Sequence, residues 1–134
     1  TTVGLDFGQF TLDSGERVRL FGTPGPARFD FLWKILAQNA LGLIILADNS
    51  RPDPLGDLGV YLDGFADALD TLPCAIGVGR LSTHATPSLD DYIELLAKRG
   101  RVLPVLDVDV RQRQDVILLI DTLLAQIEAS LFGE

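Results

Sequence analysis

Two uninterrupted apolar stretches, "LGLIILA" (residues 41–47) and "LPCAIGVG" (residues 72–79), have the length of β-strands. Such runs are typical of parallel strands that are covered on both faces of a sheet. A helical pattern lies between them, with apolar residues three and four positions apart on one face: Leu58, Tyr61, Leu62, Phe65 and Leu69. Strand–helix–strand units are right-handed and make their strands parallel. The two stretches are therefore predicted to be parallel neighbours in an α/β sheet.

The same alternation extends in both directions along the chain. Upstream, "TTVGLDFGQFTLD" and "RVRLFG" predict an antiparallel hairpin that turns through "DSGE", and a helix follows with Phe29, Leu32, Trp33 and Leu36 on one face. Downstream, Ser88 is the expected N-cap of a helix, with Asp91 at the capping-box position. The apolar side of that helix is predicted to hold Leu89, Ile93 and Leu96.

A last strand is expected within "RVLPVLDVDV", residues 101–110. The closing helix carries one apolar stripe, made of Val116, Leu119, Ile120, Leu123, Leu124, Ile127 and Leu131. The element order is then β-β-α-β-α-β-α-β-α. We predict a single domain over residues 1–134, built as a three-layer α/β sandwich whose mostly parallel sheet has the first strand as its antiparallel edge.

Composition excludes several classes of function. The chain has 134 residues, 47% of them hydrophobic, and a net charge of −8 from 11 basic and 19 acidic side chains. This charge argues against non-specific binding to nucleic acid or to an anionic membrane. One cysteine and one histidine cannot form a disulfide framework or a Cys/His zinc site. No apolar run is long enough to span a bilayer, so a cytoplasmic protein without a membrane span is expected.

Ligands of open parallel sheets bind at the carboxyl ends of the strands. In this sequence those ends are "FGTPG", "LADNSR", "VGRLSTH" and "LDVDV", which are all polar or rich in glycine. A nucleotide or phosphate site at this edge is one interpretation. The other is that these segments are ordinary turns of an α/β protein.

Two motifs at a characteristic separation give the chain a resemblance to a known family. "TTVGLDFG" with its hairpin, followed by "RVRLFGTPGPARF", resembles switch I and switch II of Ras-like small GTPases in the P-loop NTPase superfamily. The bacterial branch of putative ATP/GTP-binding proteins related to the gliding-motility GTPases is the most similar. The resemblance covers the whole chain and implies a small-GTPase-like topology from switch I onward.

The family's first strand, its phosphate-binding G-x-x-x-x-G-K-[ST] loop and its first helix have no match in these residues. We interpret the chain as a portion of a longer protein; the alternative is a protein that lacks the loop. By resemblance, the absent strand would lie between "RVRLFG" and "LGLIILA". Its loss would leave apolar strand edges exposed, which proteins usually avoid.

The resemblance assigns roles to residues of the two switches. Thr2 would ligate Mg²⁺ beside a γ-phosphate, although a strand-edge threonine is the alternative. Gly25 would donate its backbone N–H to that phosphate. Gly22 stands where most members have Asp, and Pro26 stands where the water-orienting Gln is usual, so no catalytic residue is assigned. A tight strand-to-helix turn explains Pro24, Gly25 and Pro26 equally well.

The base-recognition motif is only partly present. Gly79, Arg80, Leu81 and Ser82 occupy the positions of the family's Asn/Thr-Lys-x-Asp motif. Arg80 would pack its stem over the base, and Ser82 would offer one hydrogen bond without the carboxylate that selects guanine. Asp107 or Asp109 would lie in the third base loop, or simply at a polar strand end.

Two functions follow from the resemblance. The first is a signalling switch that binds GTP or ATP with Mg²⁺, hydrolyses it slowly in its full-length form, binds nucleotide weakly or not at all as these 134 residues, and contacts a roadblock-type partner protein. The second is a pseudo-GTPase, an interaction module that works without nucleotide.

Overall fold

The computed structural model describes the backbone of residues 6–11, 17–22 and 40–132, and the side chains of residues 40–129. The strands are β1 (Asp6–Thr11), β2 (Arg17–Gly22), β3 (Leu43–Asp48), β4 (Cys74–Gly79) and β5 (Val105–Asp107). The helices are α1 (Pro54–Gly64), α2 (Ala66–Leu69), α3 (Leu89–Lys98) and α4 (Arg113–Phe132). The predicted helix over residues 29–36 and the "DSGE" turn lie outside the described residues.

The described strands form two separate ladders. β1 and β2 pair antiparallel, from Asp6 opposite Gly22 to Thr11 opposite Arg17, as the hairpin prediction requires. β3, β4 and β5 form a parallel sheet in that order, with Leu43 opposite Cys74 and Ile76 opposite Val105. The α/β class and the parallel pairing of β3 with β4 are confirmed. The prediction was one sheet with the hairpin at its edge, whereas the described strands form two separate sheets.

Helices pack against both faces of the parallel sheet. Residues 43, 45 and 47 of β3 alternate with residue 44, so they face opposite sides. The first side meets α1, α2 and α3 in a core that contains Ile45, Leu58, Leu62, Phe65, Leu69, Cys74, Ile76, Val78, Tyr92 and Leu96. The second side meets α4 through Ala75, Val108, Leu119 and Leu123, with Ile44 packed against them.

Burial differs sharply between the two apolar strands. β4 lies in the centre of the three-stranded sheet, and its residues from Cys74 to Val78 are all buried. β3 lies at the edge of the same sheet, and only Ile45 is fully buried there, while Leu46 is 53% exposed. Both faces of β3 nevertheless contact a core, with Leu43, Ile45 and Ala47 on one side and Ile44 on the other, although β3 pairs on its outer edge with none of the described strands.

Local chemistry sets the helix ends. α1 begins with Pro54 at its first position, and Asp53 Oδ1 caps it by accepting a hydrogen bond from Gly56 N at 3.1 Å. One helix was expected through residue 69, but α1 ends at Gly64, and α2 begins after Phe65. Glycine is a poor helix former, which accounts for a break at this place.

At α3 the expected capping box is complete. Asp91 N donates to Ser88 Oγ, and Ser88 N donates to the Asp91 carboxylate. Aspartate can therefore replace the usual Glu in this motif. The predicted apolar side is wrong at one position, since Ile93 is 49% exposed and Tyr92 is fully buried instead.

Candidate functional site

The carboxyl ends of β3, β4 and β5 lie at the same edge of the sheet because the three strands are parallel. Three of the four polar segments predicted for this edge are therefore adjacent, namely those that follow β3, β4 and β5. The fourth, "FGTPG", is described only as far as Gly22 of β2. Thr2, Gly25 and Pro26 lie outside the described residues. The switch contacts predicted for them, including the Mg²⁺ ligand Thr2, therefore stay predictions.

Asp48, the last residue of β3, organises the first segment. Its Oδ1 accepts hydrogen bonds from Ser50 N at 2.9 Å and from Ser50 Oγ at 2.6 Å. The Nε of Arg80 lies 3.4 Å from the same oxygen. These contacts lower the pKa of Asp48: the Ser50 side-chain hydrogen bond has the largest effect, the Ser50 backbone bond follows, and the charges of Arg80 and Arg51 add to it.

Arg80, directly after β4, has a positive φ, which is unusual for a residue other than glycine. Its φ is 65°, in the left-handed region that favours glycine. Its carbonyl accepts hydrogen bonds from Thr83 N at 3.3 Å and from His84 N at 2.8 Å, which closes a turn. The side chain is 65% exposed. Arg80 is thus held at the edge of the sheet, where the resemblance places a base contact, and it faces the Asp48 carboxylate.

The segment after β5 contains a second carboxylate that is also paired. Asp109 accepts hydrogen bonds from Arg111 N at 2.9 Å, from its Nε at 3.0 Å and from its Nη2 at 3.0 Å. The hydrogen bond from the Arg111 side chain is the main reason that the pKa of Asp109 is lowered, and the charge of Arg80 contributes less. Asp107 is exposed at the end of β5.

The remaining predicted site residues lie in the turn after β4. Ser82 is exposed two residues beyond Arg80. His84 is exposed as well, and its Nδ1 lies 3.0 Å from Thr83 Oγ1. The structure therefore brings Arg80, Ser82 and Asp109 to one edge.

A buried polar residue at this edge escaped the sequence reasoning. Asn49 follows β3 and is only 4% exposed. Its Nδ2 donates to the carbonyl oxygens of His84 at 2.8 Å and Pro87 at 2.7 Å, and its Oδ1 accepts from Tyr92 Oη at 2.5 Å. Asn49 continues the alternation of residues 43, 45 and 47, which point into the first core, so the period of two was a usable indication of its burial.

The described edge is better suited to a base or a ribose than to phosphate. Its two carboxylates, Asp48 and Asp109, would repel a triphosphate, and the nearby guanidinium of Arg80 is partly neutralised by Asp48. Within the described part of the chain, no group of three or more His, Cys, Asp or Glu side chains could hold a metal ion.

None of the helices that the structure describes is long and apolar enough to cross a membrane. No protein-family model matches the chain, and no curated protein matches it. The resemblance to Ras-like GTPases therefore rests on the two sequence motifs alone.

Proposed function

We propose that these residues form the base-side portion of a GTPase-like nucleotide switch. The observation that carries the proposal is the position of Arg80, which is held in a left-handed conformation at the carboxyl edge of a parallel sheet, beside Ser82 and between two polar strand ends. Open α/β sheets bind ligands at this edge. Arg80 offers an aliphatic stem and a cation to a base, and Ser82 offers a hydroxyl.

In this proposal the ligands are GTP or ATP with Mg²⁺, and the phosphates are held elsewhere. Thr2 would ligate Mg²⁺, Gly25 would donate to the γ-phosphate, and a phosphate-binding loop would come from a further segment of the natural polypeptide. The division into two ladders supports this arrangement, since a strand placed between β2 and β3 would join them. The switch would act in the cytoplasm, hydrolyse nucleotide slowly and signal to a partner protein, with a roadblock-type protein as the first candidate.

A pseudo-GTPase interaction module is the second candidate. Two observations favour it: Arg80 is already paired with Asp48, and β3 has no partner on its outer side among the described strands, with Leu46 half exposed. Unprotected strand edges are common sites of association with another chain. In that case the edge of the sheet would serve a protein partner and no nucleotide would bind.

Calorimetric titration separates the two functions. GTP, GDP and ATP with Mg²⁺ are titrated into the 134-residue chain and into the whole natural polypeptide. The switch predicts binding in the micromolar range or tighter only for the whole polypeptide, weakened by Arg80→Ala but not by Arg113→Ala, an exposed arginine at the start of α4. Absence of binding to the whole polypeptide would reject the switch and leave the interaction module.

A further inference from the structure

We propose that Asn49 is a positioning residue for the segment 80–87, which we name the post-β4 segment. Asn49 holds this segment so that Arg80 faces Asp48 at the carboxyl edge of the sheet. That Arg80 contacts a nucleotide base rests on the proposed function. The positioning itself depends only on the hydrogen bonds described here.

The hydrogen bonds of Asn49 have one chemically consistent orientation. Two backbone carbonyl oxygens, those of His84 and Pro87, lie within 2.8 Å of one terminal atom of the side chain. Carbonyl oxygens only accept hydrogen bonds, so this atom is the amide nitrogen, which has two hydrogens to donate. The amide oxygen then receives the hydroxyl hydrogen of Tyr92. The side-chain amide thus uses both of its hydrogens on the post-β4 segment.

These bonds connect Asn49 to Arg80 by two routes. His84, whose carbonyl accepts from Asn49, donates its own N–H to the carbonyl of Arg80 at 2.8 Å. Asp48, the residue before Asn49, approaches the Arg80 side chain at 3.4 Å. The result is a closed circuit that runs through Asp48, Asn49, His84 and Arg80. It constrains Arg80 from its backbone and from its side chain.

The burial of the cluster makes the loss of its hydrogen bonds costly. Asn49 is 4% exposed and Tyr92 is fully buried, so water cannot readily replace a lost hydrogen bond. The amide spans elements that are distant in sequence, since Asn49 is 38 residues from Pro87 and 43 from Tyr92. Within the segment, Ser82 and His84 are exposed, and Leu81 is partly buried against the first core.

The test is amide hydrogen exchange in the 134-residue chain and its Asn49→Asp variant, expressed as protection factors. An aspartate has nearly the same shape and still accepts from Tyr92, but its carboxylate cannot donate to the two carbonyls. At pH 7 we expect the protection of the Thr83 and His84 amides to fall at least tenfold. The Ile76 and Val108 amides, which are bonded to Pro104 and Val78, should change less than threefold.

Acid provides a second measurement on the same variant. The introduced carboxyl is buried and lies beside Tyr92, on which the carboxylates of Asp48 and Asp57 act, so its charged form is disfavoured there. Arg51 is paired with Asp57, and Arg80 is paired with Asp48. Apart from Arg80, His84 is the titratable side chain of the post-β4 segment. When the pH is lowered far enough to protonate it, the carboxyl can donate to one carbonyl, so protection of His84 should recover at least threefold relative to Ile76.

Tyr92→Phe is the matched control, since it removes a hydrogen bond of the same cluster but leaves both donations to the post-β4 segment. It should lower the protection of His84 and Ile76 by similar factors. If Asn49→Asp does not fold, Asn49→Ser is measured in its place with the same tenfold expectation. Equal loss of protection at His84 and Ile76 in the Asn49 variant, or no loss at His84, would overturn the proposal. Because no nucleotide is present, this result is separate from the fate of the proposed switch.

Discussion

The Nε of Arg80 lies 3.4 Å from the Oδ1 of Asp48, so the residue that follows β4 is paired with the residue that ends β3. Each residue of this pair has a second structural feature that does not depend on the ion pair. Arg80 has a left-handed backbone, and Asp48 is already hydrogen-bonded to Ser50. The backbone and the carboxylate can be tested independently.

The backbone of Arg80 predicts an unusual order of stability. Arg80→Gly and Arg80→Ala remove the same ion pair, but only the alanine retains a Cβ in the left-handed region. We expect the glycine variant to be more stable than the alanine variant by about 1 kcal/mol. The measurement is the free energy of unfolding in urea for both variants. Equal values would mean that the turn relaxes out of the left-handed region when the guanidinium is lost.

The carboxyl group of Asp48 should titrate below its ordinary pKa of 3.8. Because the folded-state pKa is lowered, the group stabilises the fold above the unfolded-state value, and this contribution is lost as the pH falls through the folded-state value. Ser50→Ala should raise the pKa more than Arg80→Ala does, since the hydrogen bond from the Ser50 hydroxyl has the largest effect and the one from the Ser50 backbone N–H is retained. Carbon-detected NMR titration measures the pKa of Asp48 in the wild type and in the two variants.

Ser82→Ala, an alanine replacement in the neighbouring segment, is the control for this titration and should leave Asp48 unchanged. A larger rise in the pKa of Asp48 with Arg80→Ala than with Ser50→Ala would show that the ion pair, and not the serine, dominates the site.

Two glycines of β4 provide a packing test. A Cβ added at Gly77 would lie 2.7 Å from Val108 Cγ2 and 3.0 Å from Leu119 Cδ2, in the core beneath α4. A Cβ at Gly79 would lie no closer than 3.6 Å to any neighbour, the Ala47 carbonyl oxygen. We expect Gly77→Ala to cost about 1–3 kcal/mol of unfolding free energy and Gly79→Ala much less. The free energy of unfolding of both variants is measured by thermal or urea denaturation. Similar losses at both positions would contradict the packing of α4 over Gly77.

Cys74 should be chemically inert while the protein is folded. It is fully buried, and burial raises the pKa of its thiol to about 12. Since the thiolate is the reactive form, a thiol reagent at pH 8 should leave the native chain unmodified and label it fully in concentrated urea. Mass spectrometry counts the label. Rapid labelling without urea would show that β4 opens far more readily than its central position implies.

The last prediction concerns Pro26, which lies outside the described residues, and it depends on the proposed switch. A pyrrolidine ring cannot orient the attacking water, whereas a glutamine amide can. If the whole polypeptide binds GTP, Pro26→Gln should speed single-turnover hydrolysis by at most about tenfold, which is near 1.4 kcal/mol of barrier. Equal rates with unchanged nucleotide affinity would mean that Pro26 only shapes a corner.

Local patterns in the sequence determined the elements and how adjacent ones pair. The apolar runs of β3 and β4, with a helical period between them, were sufficient to predict parallel neighbours. Ser88 and Asp91 predicted the start of α3 because a capping box involves only four consecutive residues. The polar ends of β3, β4 and β5 were predicted to meet, since parallel strands end at one edge.

Tertiary structure alone decided which side chains are covered and what holds the edge together. Leu46 belongs to an apolar run as continuous as that of β4, yet it is half exposed, and β3 lies at the edge of the described parallel sheet whereas β4 lies at its centre. Tyr92 replaces Ile93 in the core because its ring can be buried while its hydroxyl reaches Asn49, 43 residues away. A period along one segment cannot reveal that contact. It arises only when β3 and α3 pack together, and there the buried amide must find its partners within the protein.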